Sequence, residues 1–231
     1  MNKRQHKIII GSMCIVIVLC LVIGRLTAYS FVNNTELEKY LQNNPVICYC
    51  DIGYDQNTNI GFLNGEDIQD ISDLMDDSEV VRGHLVQDSK QSIYYECVLS
   101  KFEVDEVYGG EIKAGNCIYI FEPVDCRENQ MDCTDGYSLM KRQEEYVLFL
   151  TKLKNAGYGD GEYVYAPIST TYGKYSCKDS FPNRLSEEVL EEPEKMHAYS
   201  EYNQEVYLYD KEMYDKYCRL KKQVLELIKC E

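Results

Sequence analysis

Apolar positions along this chain change their period twice after the first sixty residues. In "EDIQDISDLMDDS", Ile68, Ile71 and Leu74 recur every third residue, which predicts a short helix. From Ser78 the period falls to two. "EVVRGHLVQ" reads as a first strand, "DSK" as a turn, and "SIYYECVLSKFEVDEVY" as one long second strand. In that strand Ile93, Tyr95, Cys97 and Leu99 keep one phase, and Phe102 and Val104 keep the other. The slip at Ser100 and Lys101 predicts a bulge. A long bent strand is what a small closed barrel needs, because one strand must serve two of its sides. Gly109-Gly110 makes the next turn. "NCIYIFEP" is a third strand, apolar on both faces and stopped by Pro123. "CRENQMDC" reads as a polar loop and "YSLM" as a short strand. "EEYVLFLTKL" is a fifth strand, again apolar on both faces. "NAGYGDG", whose spaced glycines mark a hairpin loop, turns the chain into "EYVYAP". Edge segments including "TTYGKYSC" close the β region at Cys177.

Helical patterns flank these strands. Residues 31–44 predict a short helix ending before Pro45, followed by a turn-rich stretch through "CYCDIGYDQNTNIGFLNGED". "RLSEEVLEEPEK" is acidic and helical as far as Pro193. Residues 206–230 predict the longest helix, with Met213, Tyr217, Leu220, Val224 and Leu227 forming one apolar stripe that would pack on the barrel. The fold class is therefore mainly β with flanking helices. The expected divisions are a basic stub and transmembrane segment (1–30), a membrane-proximal cysteine-containing segment (31–69), a β domain (70–177) and a C-terminal helical region (178–231).

The N-terminus sets where the rest of the chain lives. Lys3, Arg4 and Lys7 precede an uncharged apolar run from Ile8 to Gly24, long enough to cross a bilayer at the short end of the range. Positive charge in front places the N-terminus in the cytoplasm and the remainder outside, as a single-pass protein of the cell membrane. An uncleaved signal anchor is the favoured reading. Cleavage at Ala28-Tyr29-Ser30, releasing a secreted protein, is the other. Of 24 Lys and Arg, only Lys3, Arg4, Lys7 and Arg25 come before residue 31, and all 39 acids come after it. The outer part therefore carries 20 − 39 = −19. Such a charge repels nucleic acid and anionic head groups and admits cationic partners.

Several of the strands carry a further signature. The runs Ser78-Glu79-Val80-Val81, Val107-Tyr108-Gly109-Gly110 and Glu144-Glu145-Tyr146-Val147-Leu148-Phe149, with "YYECVLSKFEVDEV" and "NCIYIF" between them, resemble the netrin-like domain. That domain is shared by tissue inhibitors of metalloproteinases and by many bacterial surface proteins. The resemblance covers about residues 70–177 and rests on fold-bearing residues. It implies an OB-type barrel of five to seven strands and a binding function. In those inhibitors a Cys-x-Cys opens the mature chain, and its first amine and carbonyl chelate the target's zinc. Cys48-Tyr49-Cys50 has that spacing, but Cys48 is internal, so its nitrogen is an amide.

Candidate chemistry is sparse. Nine cysteines follow residue 30, an odd number, in a compartment where thiols pair. Cys48, Cys50, Cys126, Cys133, Cys177, Cys218 and Cys230 are the disulfide candidates, with Cys126–Cys133 the most local pairing. Cys97 and Cys117 read equally as small buried hydrophobes. Asp55, Asn57, Asn59 and Glu66 fall at calcium-loop positions 1, 3, 5 and 12, but Ile60 occupies the position where such loops carry glycine. No metal site, cofactor motif or catalytic residue is assigned. His84 with a free thiol would be the only nucleophile pair. Twenty-one tyrosines without tryptophan supply either core or a contact surface. The expected function is an extracytoplasmic interaction module with a protein partner; the alternative is a cysteine-dependent enzyme in thiol–disulfide exchange.

Overall fold

A ring of five strands forms the centre of the structure, a computed structural model describing residues 36–50, 65–76, 78–153, 164–186, 198–200 and 204–229. The predicted membrane span, Cys230, the 154–163 loop and the acidic 187–197 stretch lie outside these. Among the described residues no helix is long and apolar enough to cross a membrane.

The strands, in chain order, are β1 (Val46–Cys50), β2 (Glu79–Leu85), β3 (Ser92–Tyr94), β4 (Cys97–Gly109), β5 (Cys117–Glu122), β6 (Val124–Arg127), β7 (Gln130–Thr134), β8 (Glu145–Lys152), β9 (Val164–Pro167) and β10 (Lys174–Ser176). The helices are α1 (Leu37–Leu41), α2 (Ile71–Met75) and α3 (Lys211–Leu227). In the ring, β2 pairs with β4, β4 with β5, β5 with β9, β9 with β8, and β8 with β2. Every pair is antiparallel except β5–β9, which is parallel. β3 and β10 extend the ring against β4 and β8. A second sheet, ordered β1-β7-β6, joins β1 to β7 in parallel and β7 to β6 as a hairpin.

Alternation decides which side chains fill the barrel. Val81 and Leu85, Phe102 and Val104, Ile118 and Ile120, Tyr146, Leu148 and Leu150 all point inward and are fully or almost fully buried. β8 is apolar on both faces because its outward residues, Val147 and Phe149, are covered too. They pack with Tyr175 against Tyr217, Leu220 and Val224 of α3. The predicted stripe on the C-terminal helix is thus the face that meets the barrel. Asp210 caps this helix by accepting the backbone N–H of Met213 at 2.8 Å. A third core lies between the second sheet and the barrel's end, built from Leu37, Val98, Val124, Met131, Tyr137, Leu139 and Tyr207.

Several sequence-based expectations need correction. The long second strand is a hairpin, β3 and β4, closed by a two-residue turn at Tyr95-Glu96. Ser100 and Lys101 stay in register with Ile120 and Tyr119, and the bulges fall at Asp105 and Tyr108 instead. Alternation by hydrophobicity misled because a polar residue, Ser100, takes an inward position. Val46–Cys50 was expected to be turn-rich and is a strand, held by β7. "CRENQMDC" is the β6–β7 hairpin rather than a loop. Tyr137–Met140 is irregular, with only an isolated bridge from Tyr137 to Val206. The C-terminal helix starts at Lys211, because residues 206–208 run extended into the core; Tyr207 N–H donates to the Gly136 carbonyl at 2.8 Å.

Candidate functional site

Cys48, Cys97, Cys126 and Cys133 lie near enough to act on one another's thiols, and the surroundings of the buried cysteines suppress thiolates. Burial pushes the Cys48 and Cys177 thiols up to about 11. Burial, reinforced by Asp125, pushes Cys97 and Cys126 up to about 12. Cys133 is raised further by complete burial, and burial also raises Cys218. Cys117, expected as a possible buried hydrophobe, is exposed, and Cys97 is half-buried with its thiol donating to the Tyr94 carbonyl at 2.9 Å. No disulfide joins two of the described cysteines. Cys126 and Cys133 share a face of the β6–β7 hairpin, but Cys126 lies opposite Met131 and Cys133 opposite Val124. They are diagonal neighbours across the hairpin, close enough for Cys126 to act on the Cys133 thiol. Cys48 sits mid-strand in β1 opposite Asp132, so the Cys-Tyr-Cys motif is a sheet segment rather than a chain end.

Asp55, Asn57 and Asn59 lie outside the described residues, as does the Glu66 side chain. Among the described residues no three Cys, His, Asp or Glu side chains gather as metal ligands do.

His84 is on the outer face of β2. Its Nδ1 lies 2.9 Å from Asp105 Oδ2 and its Nε2 lies 4.0 Å from Glu103 Oε2. Arg82, two residues earlier on the same face, is 3.0 Å from Glu106 and 3.4 Å from Glu145. The imidazole is therefore held by carboxylates in a cross-strand ionic ladder, the arrangement of a surface sheet position.

A second polar constellation is internal. Glu122, at the end of β5, points inward and is fully buried. It accepts hydrogen bonds from the Ser100 hydroxyl, from Gln91 Nε2 at 3.1 Å, from the Tyr137 hydroxyl at 3.2 Å and from the Met140 N–H at 2.7 Å. Lys174 is buried beside it, with its Nζ 4.2 Å from the Tyr137 ring centre and donating to the Ser138 carbonyl. Burial raises the Glu122 carboxyl, against Lys174 and the four donors, and lowers the Lys174 ammonium to about 8, against Glu122 and Glu205. Glu205 in turn holds Lys221 of α3 and accepts from the Tyr217 hydroxyl at 2.6 Å and the Ser176 N–H at 2.7 Å. Each charge is enclosed by its own partners, so this network ties the barrel's end to α3 and to residues 204–208.

The remaining distinctive surface is aromatic. On the outer face of β3, β4 and β5, Tyr94 stacks on Phe121 with centroids 5.7 Å apart. Lys101 Nζ lies 5.6 Å over the Tyr119 ring. Tyr95, at the turn that starts this face, is 85% exposed and contacts Tyr94 edge-on at 5.0 Å. None of these four rings belongs to a described core cluster. The sequence reading missed Glu122 and Lys174, because a strand-terminal Glu before Pro123 reads as solvent-facing. It left the tyrosines open as core or contact surface and placed none of them; the adjacent pair at 94 and 95 was the signal for this face. No protein-family model matches the chain, and no curated protein is similar to it at a significant level.

Proposed function

We propose that the chain is an extracytoplasmic binding module on an OB-type barrel, tethered to the cell membrane by its N-terminal apolar segment. The observation that carries the fold reading is the strand order. β2, β4, β5, β8 and β9 are the first to fifth strands of the ring, joined first to second, second to third, third to fifth in parallel, fifth to fourth, and fourth back to first. That order supports a reading as the Greek-key closure of an OB barrel, in which the second and third strands present the ligand-binding face. Here those strands are β4 and β5, which bear Lys101, Tyr119 and Phe121. The netrin-like resemblance of residues 70–177 is compatible with this closure.

Binding is favoured over cysteine chemistry by the thiol environments. A nucleophilic or exchanging cysteine needs a stabilised thiolate, and Cys48, Cys97, Cys126, Cys133, Cys177 and Cys218 are all pushed the other way. Buried Glu122, Lys174 and Lys221 have internal partners that supply cohesion.

Two measurements test the reading on the full chain. Timed alkylation at pH 7 with mass detection is expected to show no rapidly modified thiol; one modified within seconds at low reagent would replace the binding reading with an enzymatic one. Alkaline carbonate extraction is expected to leave the protein in the membrane fraction, with residues beyond 31 open to protease from outside. Recovery in the cytosol would overturn the tether.

A further inference from the structure

We infer that the outer face of β3, β4 and β5, led by Tyr95, is a docking surface for an arginine-containing basic segment of another protein. The inference rests on the binding-module reading and names the partner's chemistry at that same face.

Four rings line the face. Tyr95 stands at its edge, then the Tyr94–Phe121 stack, then Tyr119 beside Lys101. β3–β4 register places Tyr94 opposite Cys97, and β4–β5 register places Leu99 opposite Phe121 and Lys101 opposite Tyr119. The rings therefore occupy successive outward positions across three paired strands and share one surface. Tyr94, Tyr119 and Phe121 are half-buried and Tyr95 is exposed, and accessible aromatic side chains are the residues that dominate binding energy when a partner covers them.

Tyr95 is the clearest anchor. It is the first residue of a two-residue hairpin turn and has φ +53°, a left-handed conformation suited to glycine or asparagine. Its ring is 85% exposed, so within the described residues only the edge contact with Tyr94 offsets that backbone cost.

Charge selects the partner. Nucleic acid, which also stacks on aromatic rings, is repelled by the −19 of the chain beyond residue 30. Glu96 completes the turn beside Tyr95. Glu103 continues the outward row beyond Lys101, with its side chain 45% exposed. Asp125 and Glu96 both act on the thiol of Cys97, so they lie close to the base of the turn. Rings flanked by carboxylates attract cations through the ring quadrupole and direct pairing, and a guanidinium satisfies both at once by stacking and by bidentate hydrogen bonding. Each half of that recognition occurs once in the chain, an ammonium over a ring at Lys101–Tyr119 and a guanidinium on carboxylates at Arg127, which pairs with Asp125 and lies within 3.6 Å of Asp132.

The test uses the full chain in detergent at about 0.15 M salt, where diffuse attraction is screened beyond about 8 Å. Fluorescein-labelled octa-arginine is the probe, octaglutamate the charge control and a neutral glucose hexamer the alternative. Wild type is expected to bind octa-arginine and neither of the others. Tyr95→Phe is expected to retain that affinity. Tyr95→Gly is expected to lose it by roughly tenfold or more, the scale of one hot-spot contact, without a lower melting temperature. Equal affinity of wild type and Tyr95→Gly overturns the inference, since attraction would then come from net charge alone. Binding of the glucose hexamer in place of octa-arginine also overturns it while leaving the binding-module reading intact. Failure of every probe together with a rapidly alkylated thiol sinks both.

Discussion

Buried polar groups are where single residues weigh most in this chain. Tyr175 has its hydroxyl buried with no hydrogen-bond partner among the described residues, while its ring stacks on Tyr217 at 5.0 Å. An unmet hydroxyl costs about 1–3 kcal/mol, so Tyr175→Phe should leave stability unchanged or raise it by up to about 1 kcal/mol in urea unfolding. Lys174 is the opposite case. Lys174→Met leaves Glu122 buried without its cation and should cost about 3–5 kcal/mol. The double variant Glu122→Gln with Lys174→Met should lose clearly less than the two single losses summed, because the two groups compensate each other's burial. The pH dependence follows from direction. The native Lys174 ammonium titrates near 8, below the usual lysine range, so between about pH 8 and 10 the unfolded chain binds more protons than the folded one. The contribution of Lys174 therefore makes stability rise with pH across that window. Denaturation at pH 7.5 and 9.5 should show the rise in wild type and a smaller one in Lys174→Met.

At the scale of elements, the bent strand pair and the C-terminal helix decide the architecture. The bulges at Asp105 and Tyr108 bring β2 and β4 so close that a Cβ on Gly83 would stand 2.0 Å from the Glu103 carbonyl oxygen. Gly83→Ala cannot be accommodated by turning a side chain, because the obstacle is backbone. It should destabilise strongly, with exchange of β2 amides rising first. The helix α3 is docked by Tyr217, Leu220 and Val224 onto outward residues of β2, β8 and β10. Leu220→Ala should cost about 2–5 kcal/mol, the range for a fully buried leucine, whereas truncating exposed Glu226 should change little. The heptad-like spacing of the helix is thus used for packing on its own barrel.

For the whole molecule, the three cores share walls. Barrel interior and helix layer share β2 and β8, and the core of the second sheet joins them through Val98 of β4 and through Tyr137 of the Glu122–Lys174 network, so unfolding by urea should be a single transition, with tyrosine fluorescence and far-ultraviolet circular dichroism coincident. Two midpoints would mean that the second sheet unfolds apart from the barrel. The strong acidity acts at this scale too. The cationic partner proposed for the aromatic face draws on it.

Much of this was determined locally. Period-two alternation in 78–86, the short two-faced apolar runs at 117–122 and 145–152 and the 4-3-4-3 stripe from Met213 are short-range signals, and the strands and helix they predict are present. Charge and the leading apolar run likewise depend on composition alone. Ring closure, the parallel β5–β9 pair and the capture of Val46–Cys50 by β7 depend on partners distant in sequence, and no local pattern encodes them. The same holds for Glu122 and Lys174. Alternation marks them as inward, hydrophobicity marks them as outward, and only the tertiary fold, by supplying four donors to one and carboxylates to the other, decides between the two.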